Sequence, residues 1–157
     1  MAKLRVLDIL LETTADGPGF RTSFYLAGCK HNCPGCHNPQ SHDPNGGAEY
    51  DIDDLVHIAL DDEFANVTLS GGDPLFQIDG VIELCRKIKE LSDKTIWVYT
   101  GYVYESILKD PKLSQLLPHI DVLVDGPYIE SLRTEELPFR GSSNQKIWFI
   151  KDLDIKE

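Results

Sequence analysis

Asn66-Val67-Thr68-Leu69-Ser70-Gly71-Gly72-Asp73-Pro74 leads into Gly80-Val81-Ile82-Glu83-Leu84-Cys85-Arg86-Lys87-Ile88-Lys89-Glu90-Leu91-Ser92, and Thr95-Ile96-Trp97-Val98-Tyr99 follows. The first run reads as a strand over 66–70, because apolar and β-branched residues stand together and stop at a double glycine. The second places Val81, Leu84, Cys85, Ile88 and Leu91 on one stripe at helical spacing. The third is again β-branched and aromatic, which predicts a strand over 95–99. Strand, helix and strand in this order predict a βαβ crossover with the two strands parallel.

The same pattern extends outward in both directions. Asp51 to Leu60 puts Ile52, Leu55, Val56 and Ala59 on one stripe, and Tyr104 to Lys109 is a shorter helical stretch stopped by Pro111. Further strands are expected at Arg5 to Leu11, Thr22 to Leu26, Asp121 to Val124 and Lys146 to Ile150. The expectation is an α/β fold of about six mostly parallel strands. A closed parallel barrel takes about eight strands, so an open, partial (βα) barrel is the predicted form. With 157 residues the chain suits one hydrophobic core, and residues 1–157 are read as a single domain.

Fifteen Lys and Arg stand against 26 Asp and Glu, a formal net charge of −11. Such a surface repels phosphate backbones, which argues against a nucleic-acid partner. The basic start Met1-Ala2-Lys3-Leu4-Arg5 is like that of a signal peptide, but Asp8 and Glu12 break the apolar run behind it. No stretch reaches the roughly 20 apolar residues of a membrane span, and the expected location is the cytoplasm. Four cysteines in such a chain, three of them within eight residues, point to metal rather than to disulfides.

Three predicted strand ends carry glycine-rich or polar turns: Ser70 to Pro74, Thr100-Gly101, and Asp125-Gly126-Pro127. Ligands of α/β proteins bind beyond the carboxyl ends of the strands, so these turns are expected to face one site. Asp43-Pro44-Asn45-Gly46-Gly47 reads as a surface loop.

Cys29-Lys30-His31-Asn32-Cys33-Pro34-Gly35-Cys36 follows the predicted strand 22–26. Its spacing lets three thiolates converge on one centre. Four-iron clusters are commonly held by four cysteines, but the fourth candidate, Cys85, lies on an apolar helical stripe. Three ligands would leave one iron open to an exogenous chelator, as catalytic metals keep a vacant position. Two other readings of the segment stand beside this one. A structural zinc site could use Cys29, Cys33 and Cys36 with His37 or His31. A redox pair Cys33-Pro34-Gly35-Cys36 is the other, with Cys29 left surplus and no strand-helix context of the thioredoxin kind.

The three-cysteine C-x3-C-x2-C pattern resembles the signature of the radical S-adenosylmethionine (SAM) superfamily, and Ser70-Gly71-Gly72-Asp73-Pro74 resembles its GGE motif. Within it, the chain is most similar to the activating proteins of anaerobic (class III) ribonucleoside-triphosphate reductase. Six blocks carry this resemblance in order: Asp16-Gly17-Pro18-Gly19 with Arg21, Cys33 to Asn38, Gly71 to Pro74, Trp97 to Tyr102, Val124-Asp125-Gly126, and Arg140 to Gln145. Where many superfamily members have an aromatic residue before the third cysteine this chain has Gly35, and the GGE acid is Asp73. Both features also resemble the activase subgroup.

The resemblance implies a partial barrel of the radical SAM type and a [4Fe-4S] cluster on Cys29, Cys33 and Cys36. It also implies SAM bound between Gly35, Cys36 and His37 on one side and Gly71, Gly72 and Asp73 on the other. One electron from the reduced cluster would cleave the sulfonium to methionine and a 5′-deoxyadenosyl radical. That radical would take hydrogen from a backbone glycine of the reductase and leave a glycyl radical. Thiolate clusters span about −700 to +450 mV and cleavage requires the low end, so a flavodoxin or ferredoxin-type donor is implied. Arg140, Ser142, Asn144 and Gln145 are candidate partner or ribose contacts, and a polar turn before the last strand is the alternative. Trp97, Tyr99, Tyr102 and Trp148 read as core or sheet residues. Competing functions are an activase of the pyruvate formate-lyase type, and a non-catalytic iron-sulfur or zinc module, which would have no use for Gly71-Gly72.

Replacing Cys29, Cys33 or Cys36 by alanine is expected to abolish a cluster that loads about four irons per chain. Iron and sulfide analysis after anaerobic reconstitution measures this, and full retention in any one variant would remove that cysteine from the ligand set.

Overall fold

The computed structural model describes residues 3–28, 43, 45–134, 139–140 and 142–150. The cysteine segment with Gly35 and His37 lies outside the described residues. The elements in chain order are β1 (Lys3–Thr13), β2 (Arg21–Leu26), β3 (Ala48–Asp51), α1 (Ile52–Asp61), β4 (Asn66–Gly71), α2 (Ile78–Leu91), β5 (Ile96–Tyr99), α3 (Tyr104–Lys109), β6 (Val122–Asp125) and β7 (Lys146–Phe149). Short 3-10 turns cover Pro74–Gln77, Leu113–His119 and Glu130–Leu132.

One sheet of seven strands runs β3-β1-β2-β4-β5-β6-β7 and does not close on itself. The centre is parallel, with β2 beside β4, β4 beside β5 and β5 beside β6. The flanks are antiparallel, β1 against both β2 and β3, and β7 against β6. The α/β expectation therefore stands, while the count of six and the mostly parallel sheet are corrected to seven strands with a parallel core. The strand absent from the sequence reading, β3, has exposed Ala48 and Glu49, half-buried Tyr50 and Asp51, and no apolar run of its own. Pairing with β1 makes it a strand, and the Arg5 guanidinium supports the turn before it by donating to the carbonyls of Asn45, Gly46 and Gly47.

The two faces of the sheet differ in chemistry. Phe24, Leu26, Val67, Leu69, Ile96, Val98 and Leu123 pack with the apolar stripes of α1 and α2, Ile107 of α3 and Leu113, Leu116 and Leu117 of the following turn in one cluster. The alternate residues form the other face, since successive side chains of a strand point to opposite sides. There Trp97, Val122 and Val124 pack with Tyr99, Phe139 and Ile147, and Arg21, Ser23, Tyr25, Thr68 and Ser70 share that parity. Among the described residues no helical side chain joins this second cluster. No helix among them is long and apolar enough to cross a membrane.

Arg21 closes the second face at the amino end of the parallel strands. It is 1% exposed, and its guanidinium donates to Thr68 Oγ1 (2.7 Å), to the Val67 carbonyl (2.8 Å) and to the carbonyls of Pro18 and Thr95 (both 3.1 Å). It also lies over the Trp97 ring, 5.6 Å from the centroid. Burial lowers its pKa to about 10, against the opposing pull of Tyr99, Asp121 and Asp16, so it remains a cation at neutral pH.

Cys85 sits on the buried stripe of α2 and is fully enclosed. Burial pushes its thiol pKa up, so the thiolate forms more readily in the unfolded chain, and this contribution to stability is lost as pH rises above the ordinary thiol value of 9.0. In the folded protein Cys85 is expected to resist alkylation at neutral pH. Cys85→Ala should keep the cluster at a cost of about 1 kcal/mol. Thiol titration with and without denaturant, and iron analysis of the variant, check both points. Cluster loss in a folded Cys85→Ala chain would make Cys85 a ligand.

Candidate functional site at the carboxyl ends of the parallel strands

β4 ends in the double glycine and β5 in Thr100-Gly101, and Asp73 joins the two. Its side chain is 1% exposed. Oδ1 accepts from Leu75 N (2.9 Å), which starts the 3-10 turn at Pro74. Thr100 Oγ1 lies 2.9 Å from both carboxylate oxygens, and Gly101 N donates to Oδ2 (2.9 Å). The backbone of the same turn reaches the other way. Gly72 N donates to the Leu26 carbonyl (2.9 Å) and Asp73 N to the Gly28 carbonyl (2.7 Å). Asp73 thus links three successive strand ends, with Gly28 being the residue before Cys29.

Gly71 has a reason for its identity that the sequence did not disclose. Its φ is +104°, and a Cβ there would lie 2.4 Å from Leu26 N and 2.7 Å from Leu26 O. The missing side chain lets β2 and β4 approach at the rim, before any ligand is considered. Gln77, at the end of the 3-10 turn, ties the first two strands from behind. Its amide donates to the Arg5 and Ala27 carbonyls and accepts from Arg5 N, each at 3.0 Å.

The third turn joins the same rim. Thr100 N donates to Val124 O and Gly126 N to Tyr102 O. Asp125 accepts from Tyr104 N (2.7 Å) and Lys146 N (3.2 Å). The candidate residues after it hold this turn: Asn144 Nδ2 donates to Pro127 O and Gln145 Nε2 to Gly126 O, both at 2.9 Å, and Ser142 Oγ accepts from Ile129 N. These hydrogen bonds support the polar-turn alternative for Ser142, Asn144 and Gln145. Arg140 Nε and Asn144 Oδ1 are buried with no hydrogen-bond partner among the described residues.

Above the second face, Tyr25 donates its hydroxyl to Asp16, and Thr68 Oγ1 donates to the Asp16 carbonyl (3.0 Å). The Tyr99 hydroxyl is buried with no hydrogen-bond partner among the described residues. Burial pushes both phenol pKa values up, and the Asp16 carboxylate adds to this, so both stay protonated at neutral pH. Tyr25 and Tyr99 were not singled out as site residues from sequence. The signal was present in the two-residue alternation of Arg21, Ser23, Tyr25 with Thr22, Phe24, Leu26. Trp148 stacks on Tyr104, centroids 4.6 Å apart, and Trp97 packs on Phe139, as core or sheet residues.

A polar rim lies at the carboxyl ends of the parallel strands, and in the sequence the three-cysteine segment follows directly on Gly28 at that rim. A family model described as a 4Fe-4S single cluster domain matches residues 15–148, and the chain belongs with those single-cluster domains. Curated relatives narrow the class. The chain is 37% identical over 140 residues to a protein of Vibrio cholerae, covering 84% of this chain and 89% of the relative. It is 34% identical to a protein of Escherichia coli K12 over 87% of this chain and 92% of that one. A protein of Enterobacteria phage T4 is 34% identical over 87% and 88%. All three are named anaerobic ribonucleoside-triphosphate reductase-activating protein, and this chain belongs to that family.

Asp73→Ala is expected to lower stability by about 3 kcal/mol or more, because buried donors from two turns lose their acceptor. Thr100→Val should cost about 1–2 kcal/mol. Urea unfolding measures both, and an Asp73→Ala chain as stable as the parent would show that the carboxylate does not hold the rim.

Proposed function

We propose that this chain is a radical SAM enzyme that activates anaerobic ribonucleoside-triphosphate reductase by abstracting a hydrogen from a backbone glycine of that protein. Cys29, Cys33 and Cys36 would hold the [4Fe-4S] cluster. The cluster, when bound, supplies the single electron for reductive cleavage of SAM. The hydrogen bond from Asp73 N to the Gly28 carbonyl carries this reading, because it sets the Gly71-Gly72-Asp73 turn beside the start of the cysteine segment.

The residues present suit these groups. Three soft thiolates within eight residues are an iron-sulfur donor set that leaves one iron for a chelating ligand. The Tyr99 hydroxyl offers a polar contact on the second face that no side chain among the described residues uses. In this reading the backbone at Gly72, with Gly35, Cys36 and His37, binds and orients SAM. Asp73 acts by fixing the turn, since its carboxylate is occupied by Thr100, Gly101 and Leu75. Arg21 and Trp97 exclude water from the far end of the second face.

The open seven-stranded sheet supports a partial barrel of the radical SAM type, whose gap admits a loop of another protein. Residues 1–157 act as one domain, a cytoplasmic oxidoreductase supplied with electrons by a flavodoxin or ferredoxin-type protein. Arg140 Nε and Asn144 Oδ1, which have no hydrogen-bond partner among the described residues, are the atoms of the 140–145 block offered here to the partner or the ribose.

Anaerobic mixing of the reduced, reconstituted chain with SAM and the reductase is expected to give a glycyl radical by electron paramagnetic resonance, with 5′-deoxyadenosine formed alongside it. SAM cleavage with no radical on the reductase, together with turnover of a small molecule in its absence, would overturn the activase reading.

A further inference from the structure

At the end of the sheet opposite the glycine turn, Thr13 pairs with Arg21 and Arg21 with Asn66, so the carboxyl end of β1 and the amino ends of β2 and β4 lie together. Two large apolar side chains stand out there, Phe64 at 86% and Leu11 at 65% exposure. They line a cleft of about 680 Å³ with Glu12, Asp61 and Glu63. A neighbouring cleft of about 480 Å³ shares Glu63 and contains Leu91, which is 66% exposed.

The turn carrying Phe64 is held in place. Asp62 Oδ1 accepts from Phe64 N (2.9 Å) and Ala65 N (3.0 Å), and Lys94 Nζ donates to the carbonyls of Asp62 and Ala65. Lys94 serves backbone oxygens, and Arg21 at this end is buried against Thr68, Val67 and Thr95. Glu12, Asp61 and Glu63 have no ion-pair partner among the described residues. Exposed apolar side chains grouped this way, within a polar rim, mark an interaction surface. The uncompensated carboxylates select a partner of opposite charge, and a second copy of a chain with net charge −11 would bring like charges together.

We propose that this end docks a basic, apolar segment of the reductase, with Lys or Arg flanking apolar side chains that seat between Leu11, Phe64 and Leu91. The identity of the partner rests on the activase reading. Attachment at the amino ends of the strands leaves the carboxyl ends free for the partner's glycine, so holding the partner and reacting with it use separate surfaces.

The test measures affinity for the purified reductase under anaerobic conditions, for the reconstituted chain and its Phe64→Ser and Glu63→Lys variants. Circular dichroism checks folding, and dithionite-driven SAM cleavage without the reductase checks the chemical site. Both variants are expected to bind about tenfold more weakly or worse, with SAM cleavage unchanged, and parent affinity should fall as salt rises to about 0.5 M. If Phe64→Ser fails to fold, the exposed charge reversal at Glu63 decides alone. Parent-like affinity in folded variants, with the glycyl radical still formed, would overturn the docking surface and leave the activase reading intact. A variant that loses self-association in sedimentation but binds the reductase normally would assign the face to a second copy and overturn it too. A parent chain that neither binds the reductase nor forms the radical would remove the activase reading, and this choice of occupant with it.

Discussion

The buried carboxylate of Asp73 is the constraint on which the rim depends. Parallel strands end independently, and their loops are free to diverge unless something crosses between them. Here one side chain accepts from the 3-10 turn after β4 and from the turn after β5, while its own backbone donates to the end of β2. A carboxylate suits this task because it accepts several hydrogen bonds at once, and bonds to a charged acceptor are stronger than neutral ones. It is buried only because donors on all sides replace water.

The difference between the two sheet faces follows from the same division of labour. The helices take the apolar face and supply most of the burial, so the fold needs apolar residues on the other side only around Trp97, Val122 and Val124. That freedom lets β2 and β4 carry Ser23, Tyr25, Thr68 and Ser70 there. Arg21 and Trp97 close one end of this polar face, with the guanidinium spread over a hydroxyl, three carbonyls and an aromatic ring. Delocalised charge and a planar fork make arginine suited to such a position. The result is a face that is polar along β2 and β4, with a closed end at Arg21 and the hydrogen-bonded rim at Asp73.

The two ends of the sheet are thereby specialised. At the rim, glycines and buried polar side chains bring loops together, and the cysteine segment begins there. At the other end, carboxylates and apolar side chains stay exposed on a turn pinned by Asp62 and Lys94. In the proposed reading the rim serves chemistry and the other end holds the partner.

By itself the sequence determined the α/β class, α1, α2 and α3 nearly to the residue, six of the seven strands, and the family through six ordered blocks. These are local or linear properties. Helical stripes, β-branched runs and motif spacing depend on neighbours in the chain. The tertiary structure decided what depends on residues distant in sequence. It made Ala48–Asp51 a strand through pairing with β1, and showed that Gly71 lacks a side chain because Leu26 lies against it. It turned Asp73 into a tie between turns, and Ser142, Asn144 and Gln145 into supports for Gly126-Pro127. It also set Phe64, Leu11 and Leu91 at one end of the molecule. A polar residue in a linear sequence has no stated partner, and only the folded chain brings donor and acceptor within bonding distance.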